Sequence, residues 1–284
     1  MYVVLGATGH VGSSVVAALG SSGGHVTAIA HDPEKAKTIQ GNNVEVVIAD
    51  VANEDRLHAV FRQAKRAFLL NPPASPASDT NSEELKTARS IARAVGGSDL
   101  EKVVVASSYG AQAGDGIGDL SVLYEFEQLV QGTGVPTAIN RAAYYFTNLD
   151  NLLETAKEGH LSSPFPGDLV LPMVSPADLA EVAAIRLSST NNDVGIKYVE
   201  GPRRYTFTEV AQAFSNALGL PVALQGIARQ GIEKSFREQG FSEAAARSYA
   251  RMTMATIDGA ELPNEPIRGK VTLEEHVNSL VSQT

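Results

Sequence analysis

The residues whose types and spacing could do chemistry stand at the very start of this chain. Gly6, Gly9 and Gly12 recur at three-residue intervals in Gly6-Ala7-Thr8-Gly9-His10-Val11-Gly12. An apolar run, residues 2–5, precedes them, and residues 13–19 follow with the pattern of a helix. A strand that passes through glycines into a helix N-terminus aims unpaired N–H groups and the positive end of the helix dipole at one point. That arrangement suits a diphosphate. Gly6 would permit the tight turn, Gly9 would let the backbone approach the ligand, and Gly12 would let helix and strand pack closely. A plain strand–turn–helix has the same spacing, so the motif alone leaves both readings open.

A second candidate is Tyr124-Glu125-Phe126-Glu127-Gln128. In a Tyr-x-x-x-Lys pair the lysine lowers the tyrosine pKa so that the phenol can pass a proton near neutrality. Here glutamine stands in the lysine's place, and no lysine occurs between Lys102 and Lys157. A tyrosine without help, with a pKa of about 10, is a poor acid–base group at pH 7. Tyr124 therefore reads as an ordinary helix residue, alcohol–ketone chemistry is disfavoured, and no side chain is assigned as catalytic. Other chemistries are excluded by composition. There are no cysteines, so thiolate catalysis and disulfides are ruled out, and none of the six histidines pairs at the helical spacing of a zinc site. No metal is expected. The net charge of −9 argues against a nucleic-acid surface, and no run is long and apolar enough to span a membrane. With Met1 set directly against the first strand, the chain reads as a cytoplasmic protein without a signal peptide.

These residues need elements to position them. Strands are expected at residues 2–5, 25–30, 44–49, 67–70, 102–106 and 135–140, with helices between them, the signature of a right-handed, doubly wound parallel sheet. The strand ends then collect the candidate site. The second delivers His31-Asp32-Pro33-Glu34-Lys35, where Asp32 caps a helix with Pro33 at its first position, leaving His31 and Lys35 to reach a ribose phosphate. This favours NADP(H), with NAD(H) possible. The third ends at Asp50-Val51: Asp50 could bond adenine with Val51 on the ring, or only cap the turn. The fourth runs into Asn71-Pro72-Pro73, where proline forces the chain to turn, followed by a polar stretch, 74–81, expected to be a mobile loop. The fifth delivers Ser107 and Tyr109, and a glycine-rich loop, 110–118, lies beside it. After the sixth comes the densest aromatic cluster of a chain with only 6% aromatics, Tyr144-Tyr145-Phe146. It is either core or the wall of a pocket for a flat substrate.

The remainder is read as mostly helical, with a loop at 159–167 and helix starts at Ser175-Pro176-Ala177-Asp178, at Thr206 to Glu209 and at Thr272 to Glu275. The fold class is thus α/β: a doubly wound parallel (Rossmann) sheet with a smaller, mostly helical C-terminal substrate domain. Boundaries fall at 1–145 and 146–284, with about 172–200 packing back onto the sheet.

The glycine loop, the His31–Lys35 corner, Asn71-Pro72-Pro73, the run from Thr133 to Arg141 and the segment Val174 to Ala180 together resemble the NmrA-like group of atypical short-chain dehydrogenase/reductases. Within it the chain is most similar to the NAD(P)H-dependent quinone, azo-dye and triphenylmethane reductases, nearly end to end. The family commonly has Arg at the position of His31, and its members generally lack a working Tyr-x-x-x-Lys pair. The resemblance implies that Asn71, Pro72, Pro73 and Ser107 border the nicotinamide, and that Asn140, Arg141, Ala142 and Tyr144 line the substrate side. Arg141 could equally serve a salt bridge. It implies a reductase passing hydride to a small aromatic acceptor; a homodimer is a separate expectation. The alternative is a non-enzymatic NADP(H) sensor that controls a protein partner.

Overall fold

A computed structural model describes residues 1–259 and 262–283. Strands β1 (Tyr2–Val4), β2 (Val26–Ala30), β3 (Val44–Ile48), β4 (Arg66–Leu69), β5 (Lys102–Ser108) and β6 (Thr137–Ala142) alternate with helices. These are α1 (His10–Ser21), α2 (Pro33–Ala36), α3 (Glu54–Phe61), α4 (Thr80–Val95) and α5 (Asp119–Gln131). Past β6 the chain forms β7 (Tyr144–Tyr145), a 3-10 turn (Phe146–Leu152), α6 (Leu153–Lys157), β8 (His160–Ser163), β9 (Leu171–Val174), α7 (Pro176–Ser188) and β10 (Gly195–Glu200). The C-terminal stretch holds β11 (Arg204–Tyr205), α8 (Phe207–Leu218), β12 (Ala223–Gly226), α9 (Ile232–Glu238), α10 (Glu243–Ile257), β13 (Ile267–Arg268) and α11 (Leu273–Ser282).

The main sheet has eight strands in the order β13-β10-β6-β5-β4-β1-β2-β3, and every pairing in it is parallel. The chain winds outward from β1 to β3, then crosses to β4 and winds the other way. The switch point lies between β1 and β4, and ligands of such sheets sit in the crevice at their carboxyl ends. Both faces are covered, which is why strands such as Val103-Val104-Val105 are continuous apolar runs, each residue fully buried. One face packs Leu57, Phe61, Ile91, Val95 and Phe126 from α3, α4 and α5. The other packs Val15, Leu19, Leu179 and Ala183 from α1 and α7. A third cluster, including Phe146, Leu153, Tyr205, Phe214 and Leu273, joins the 3-10 turn, α6, α8 and α11.

Helix starts follow local chemistry. Asp32 accepts from the amides of Glu34 and Lys35, Ser175 from Ala177, and reciprocal capping boxes form at Thr206/Glu209 and Thr272/Glu275.

Several expectations are corrected. The 159–167 stretch is not simply a loop: β8 lies within it and pairs in parallel with β12. Strands of two to four residues carry too little alternation to show in a sequence; a distant partner defines them. The 74–81 stretch is not free. The Ser242 amide donates to the Pro76 carbonyl at 2.9 Å and its hydroxyl to the Ser78 carbonyl at 2.7 Å, while the Ser248 hydroxyl donates to Asn81 Oδ1 at 2.6 Å.

Candidate active site

The glycine loop occupies the β1 end of the switch point. Gly6 has φ +64°, the left-handed region that glycine enters without strain. The Gly9 amide donates back to the Gly6 carbonyl at 2.9 Å and closes the turn. Gly12 is where the helix meets it: a Cβ there would lie 2.1 Å from the Gly6 carbonyl oxygen. The α1 N-cap is Gly9, with no side-chain cap, and the first turn holds no acid. The amides of His10, Val11 and Gly12 thus have no acceptor among the described residues, and Gly9 and His10 are exposed. An uncapped helix end beside a backbone cradle that only glycine permits fits a pyrophosphate. Ala7 is buried and Thr8 half-buried at the floor of this turn.

At the β2 end, His31 and Lys35 are exposed, and the Asp32 carboxylate is turned onto the α2 amides. It is therefore occupied as a cap, and the two basic groups flank open space. Asp50 Oδ1 accepts from the Ala52 amide at 2.8 Å, while Val51 packs half-buried against the core.

Beyond β4 the arrangement tightens. Asn71 is clamped on α4, its Nδ2 donating to the Glu84 carbonyl at 3.0 Å and its Oδ1 accepting from Thr87 at 2.7 Å. Pro72 is half-buried and Pro73 exposed. Ser107 is buried and donates to the buried Glu127 carboxylate, which also takes a two-point ion pair from Arg141 at 2.9 and 2.7 Å. Arg141 further donates to the Tyr198 hydroxyl at 3.3 Å. Its guanidinium is thus engaged inside the protein between β6, α5 and β10, the salt-bridge role weighed from the sequence. Asn140 does not join the cleft: it is buried mid-strand, with Oδ1 accepting from Arg186 Nη1 at 2.9 Å. Ala142 is buried with it.

Tyr109 donates to the fully buried Glu200 at 2.8 Å, a carboxylate that also holds Arg204 and Arg268. Burial, and then that neighbour, raise its phenol pKa well above the ordinary value. Tyr144 packs edge-on against Phe165 and Phe207 and remains half-buried, its phenol pushed up to about 12 by burial. Both phenols are held neutral. Tyr124 lies half-buried on α5, which carries no lysine.

Sequence reasoning missed an acidic pair. Glu84 is only 4% exposed. Its Oε1 accepts from the Ala74 amide at 2.9 Å, and its carboxyl faces that of Asp119 at the start of α5. Burial first, then the Asp119 charge, push Glu84 up to about 7; burial likewise raises Asp119. A signal was present: Glu84 interrupts the apolar stripe of α4 that continues through Ala88, Ile91 and Val95. Among the described residues no three His, Cys, Asp or Glu side chains could hold a metal ion, and no helix is long and apolar enough to cross a membrane.

A parallel sheet in the order 3-2-1-4-5-6, with an uncapped glycine-packed helix end at its switch point, defines a dinucleotide-binding Rossmann protein. The chain belongs to the NmrA-like family, whose family model matches residues 2–260. It is 29% identical over 226 residues to the (4-alkanoyl-5-oxo-2,5-dihydrofuran-3-yl)methyl phosphate reductase of Streptomyces griseus, covering 79% of this chain and 76% of that one. It is 23% identical over 247 residues to the NAD(P)H azoreductase of Xenophilus azovorans, covering 87% and 84%. Its fold superposes on an Escherichia coli NADPH-dependent quinone oxidoreductase solved with NADPH at a TM-score of 0.83, with 20% identity over 99% of each chain.

Proposed function

We propose that this protein is an NADPH-dependent reductase of small, flat, electron-poor acceptors such as quinones and dyes. The observation that carries the reading is the α1 N-terminus: three amides without acceptors, no side-chain cap, and a Gly12 contact that leaves no room for a Cβ. Residues 6–12 would hold the pyrophosphate, His31 and Lys35 the ribose phosphate, and Asp50 with Val51 the adenine. Asn71 to Pro73 would border the nicotinamide, with Ser107 beneath it and the Tyr144 side of the cleft facing the acceptor. The two reductase relatives support the reaction class, as the substrates in their names are conjugated: a ring alkene bearing two carbonyls on one carbon, and an azo group.

When bound, the nicotinamide supplies a hydride. What this chain must add is alignment of that ring with the acceptor and exclusion of water. The clamp on Asn71 from α4 and the internal bonding of Ser107, Glu127 and Arg141 make the floor rigid. With no lysine beside Tyr124, the phenol takes no part in proton transfer. Lack of cysteine suits a cytoplasmic setting.

Purified protein mixed with NADPH and a panel of quinones and dyes should oxidise NADPH well above background, and NADH more slowly. Absence of turnover with every acceptor would defeat the reading. Tight NADPH binding without turnover would instead mark a nucleotide sensor.

A further inference from the structure

The acidic pair lies outside every role assigned so far, and its surroundings aim it at the cleft. Glu84 approaches from α4, Asp119 from the first turn of α5, and the Ala74 amide from the loop three residues past Asn71. Two tyrosines face the pair from other elements, Tyr145 on β7 and Tyr249 on α10; each is within electrostatic reach of Asp119, and Tyr249 also of Glu84. No Lys, Arg or His acts on either carboxyl among the described residues.

Three hydroxyls beside the pair have no partner among the described residues, and that of Thr80 is buried. The Thr80 hydroxyl, one helical turn ahead of Glu84 on the same face of α4, belongs to a residue 1% exposed and makes no hydrogen bond. Those of Tyr145 and Tyr249 make none with the described residues, and both side chains keep a solvent-facing surface, as does Asp119. A buried hydroxyl is normally satisfied, so that of Thr80 marks a place where another molecule's polar atom belongs. Asn71 donates from Nδ2 to the Glu84 carbonyl at 3.0 Å, which ties this stretch of α4 to the β4 end of the switch point.

We propose that the facing carboxyls of Glu84 and Asp119 share one proton and deliver it to the oxygen or nitrogen of the acceptor, which Tyr145 and Tyr249 hold against Asp119. This rests on the reductase reading above. An acceptor that has taken a hydride carries an extra electron pair on its heteroatom. The carboxyl O–H bond breaks as the heteroatom–H bond forms, and one solvent proton restores the pair. No further oxidant or reductant is needed. Two facing carboxyls behave this way because both cannot ionise cheaply in one buried site.

Two acceptors separate the step from its alternatives. A quinone needs a proton after hydride addition, whereas a cationic triarylmethane dye becomes neutral by hydride addition alone. In Glu84→Gln, and again in Asp119→Asn, the ratio of quinone to dye initial rates should fall at least ten-fold, a lower bound on the roughly 10²–10⁴-fold that an acid catalyst contributes. Wild-type turnover on quinone should decline as pH rises through about 7, and this inflection should vanish in Glu84→Gln. Carboxyl 13C NMR of the cofactor-free wild-type protein should show one Glu resonance titrating near neutrality, whatever the variants do. An unchanged ratio, or a Glu84 carboxyl titrating in the ordinary range, overturns the proposal. If wild type reduces neither acceptor, the reductase reading and the delivery step fail together, while the NMR titration still decides the shared proton.

Discussion

Substituting Gly12 and Gly9 separately by alanine isolates what the glycine loop does for packing from what it does for a ligand. At Gly12 an added Cβ lies 2.1 Å from the Gly6 oxygen and 2.6 Å from the Gly6 carbon, well inside the 3.0 Å that real Cβ contacts keep. Both obstacles are backbone, so no rotamer change relieves them. The N-terminus of α1 must retreat by about 0.9 Å from the turn. Overpacking costs about 1–3 kcal/mol, and against unyielding backbone the upper part of that range, about 2–3 kcal/mol, applies, offset by the roughly 1 kcal/mol that alanine gains over glycine in a helix. A net loss of about 1–2 kcal/mol lowers Tm by roughly 3–6 °C in a chain of this size. Because the amides move with the helix, NADPH affinity should fall by at least an order of magnitude. At Gly9 the same test gives the opposite balance. Its backbone is extended, φ −89° and ψ 169°, and its added Cβ would meet only the Gly6 oxygen, at 3.4 Å. Gly9→Ala should melt within about 1 °C of wild type, a surface change of less than about 0.5 kcal/mol, yet bind NADPH much more weakly. Differential scanning fluorimetry and NADPH fluorescence titration read the two effects. Wild-type affinity in both variants would refute the pyrophosphate assignment, and an unshifted Tm in Gly12→Ala would refute the packing argument.

Two further outcomes follow from buried charge. Arg141→Ala leaves the Glu127 carboxylate, 1% exposed, without its cation. Breaking such a pair costs about 3–5 kcal/mol, so Tm should drop by on the order of 10 °C. Arg141→Lys should recover only part of this, since an ammonium cannot make the two-point contact. A drop of under about 2 °C in Arg141→Ala would show the pair contributes little. For Glu84, the rise from 4.5 to about 7 corresponds to about 3 kcal/mol of linkage. Its folded-state pKa lies above the unfolded one, so its favourable contribution is complete below about 4.5 and is lost as pH rises through about 7. Urea titrations at about pH 5 and pH 8 should show that decline in wild type and a flatter profile in Glu84→Gln. Equal slopes would contradict the assignment.

The sequence by itself determined whatever is written in short-range pattern. The apolar runs of β1 to β6, the glycine rhythm at 6, 9 and 12, and the caps at Asp32, Ser175, Thr206 and Thr272 are local chemistry, so the doubly wound sheet and its switch point were legible. Tertiary structure decided where each side chain points and which partner meets it. Asn140 and Arg141 are consecutive residues after the same apolar run, and a period of two sends them to opposite faces of the sheet. One meets Arg186 on α7, the other Glu127 on α5. Strands β8 and β12 exist only because the intervening chain, residues 164–222, brings them side by side. The pairing of Glu84 with Asp119, 35 positions apart and on different helices, is likewise a product of packing. Asp119 alone reads as a solvated helix residue, and Glu84 only as a break in an apolar stripe. Only burial against the other makes a proton-holding group of the two.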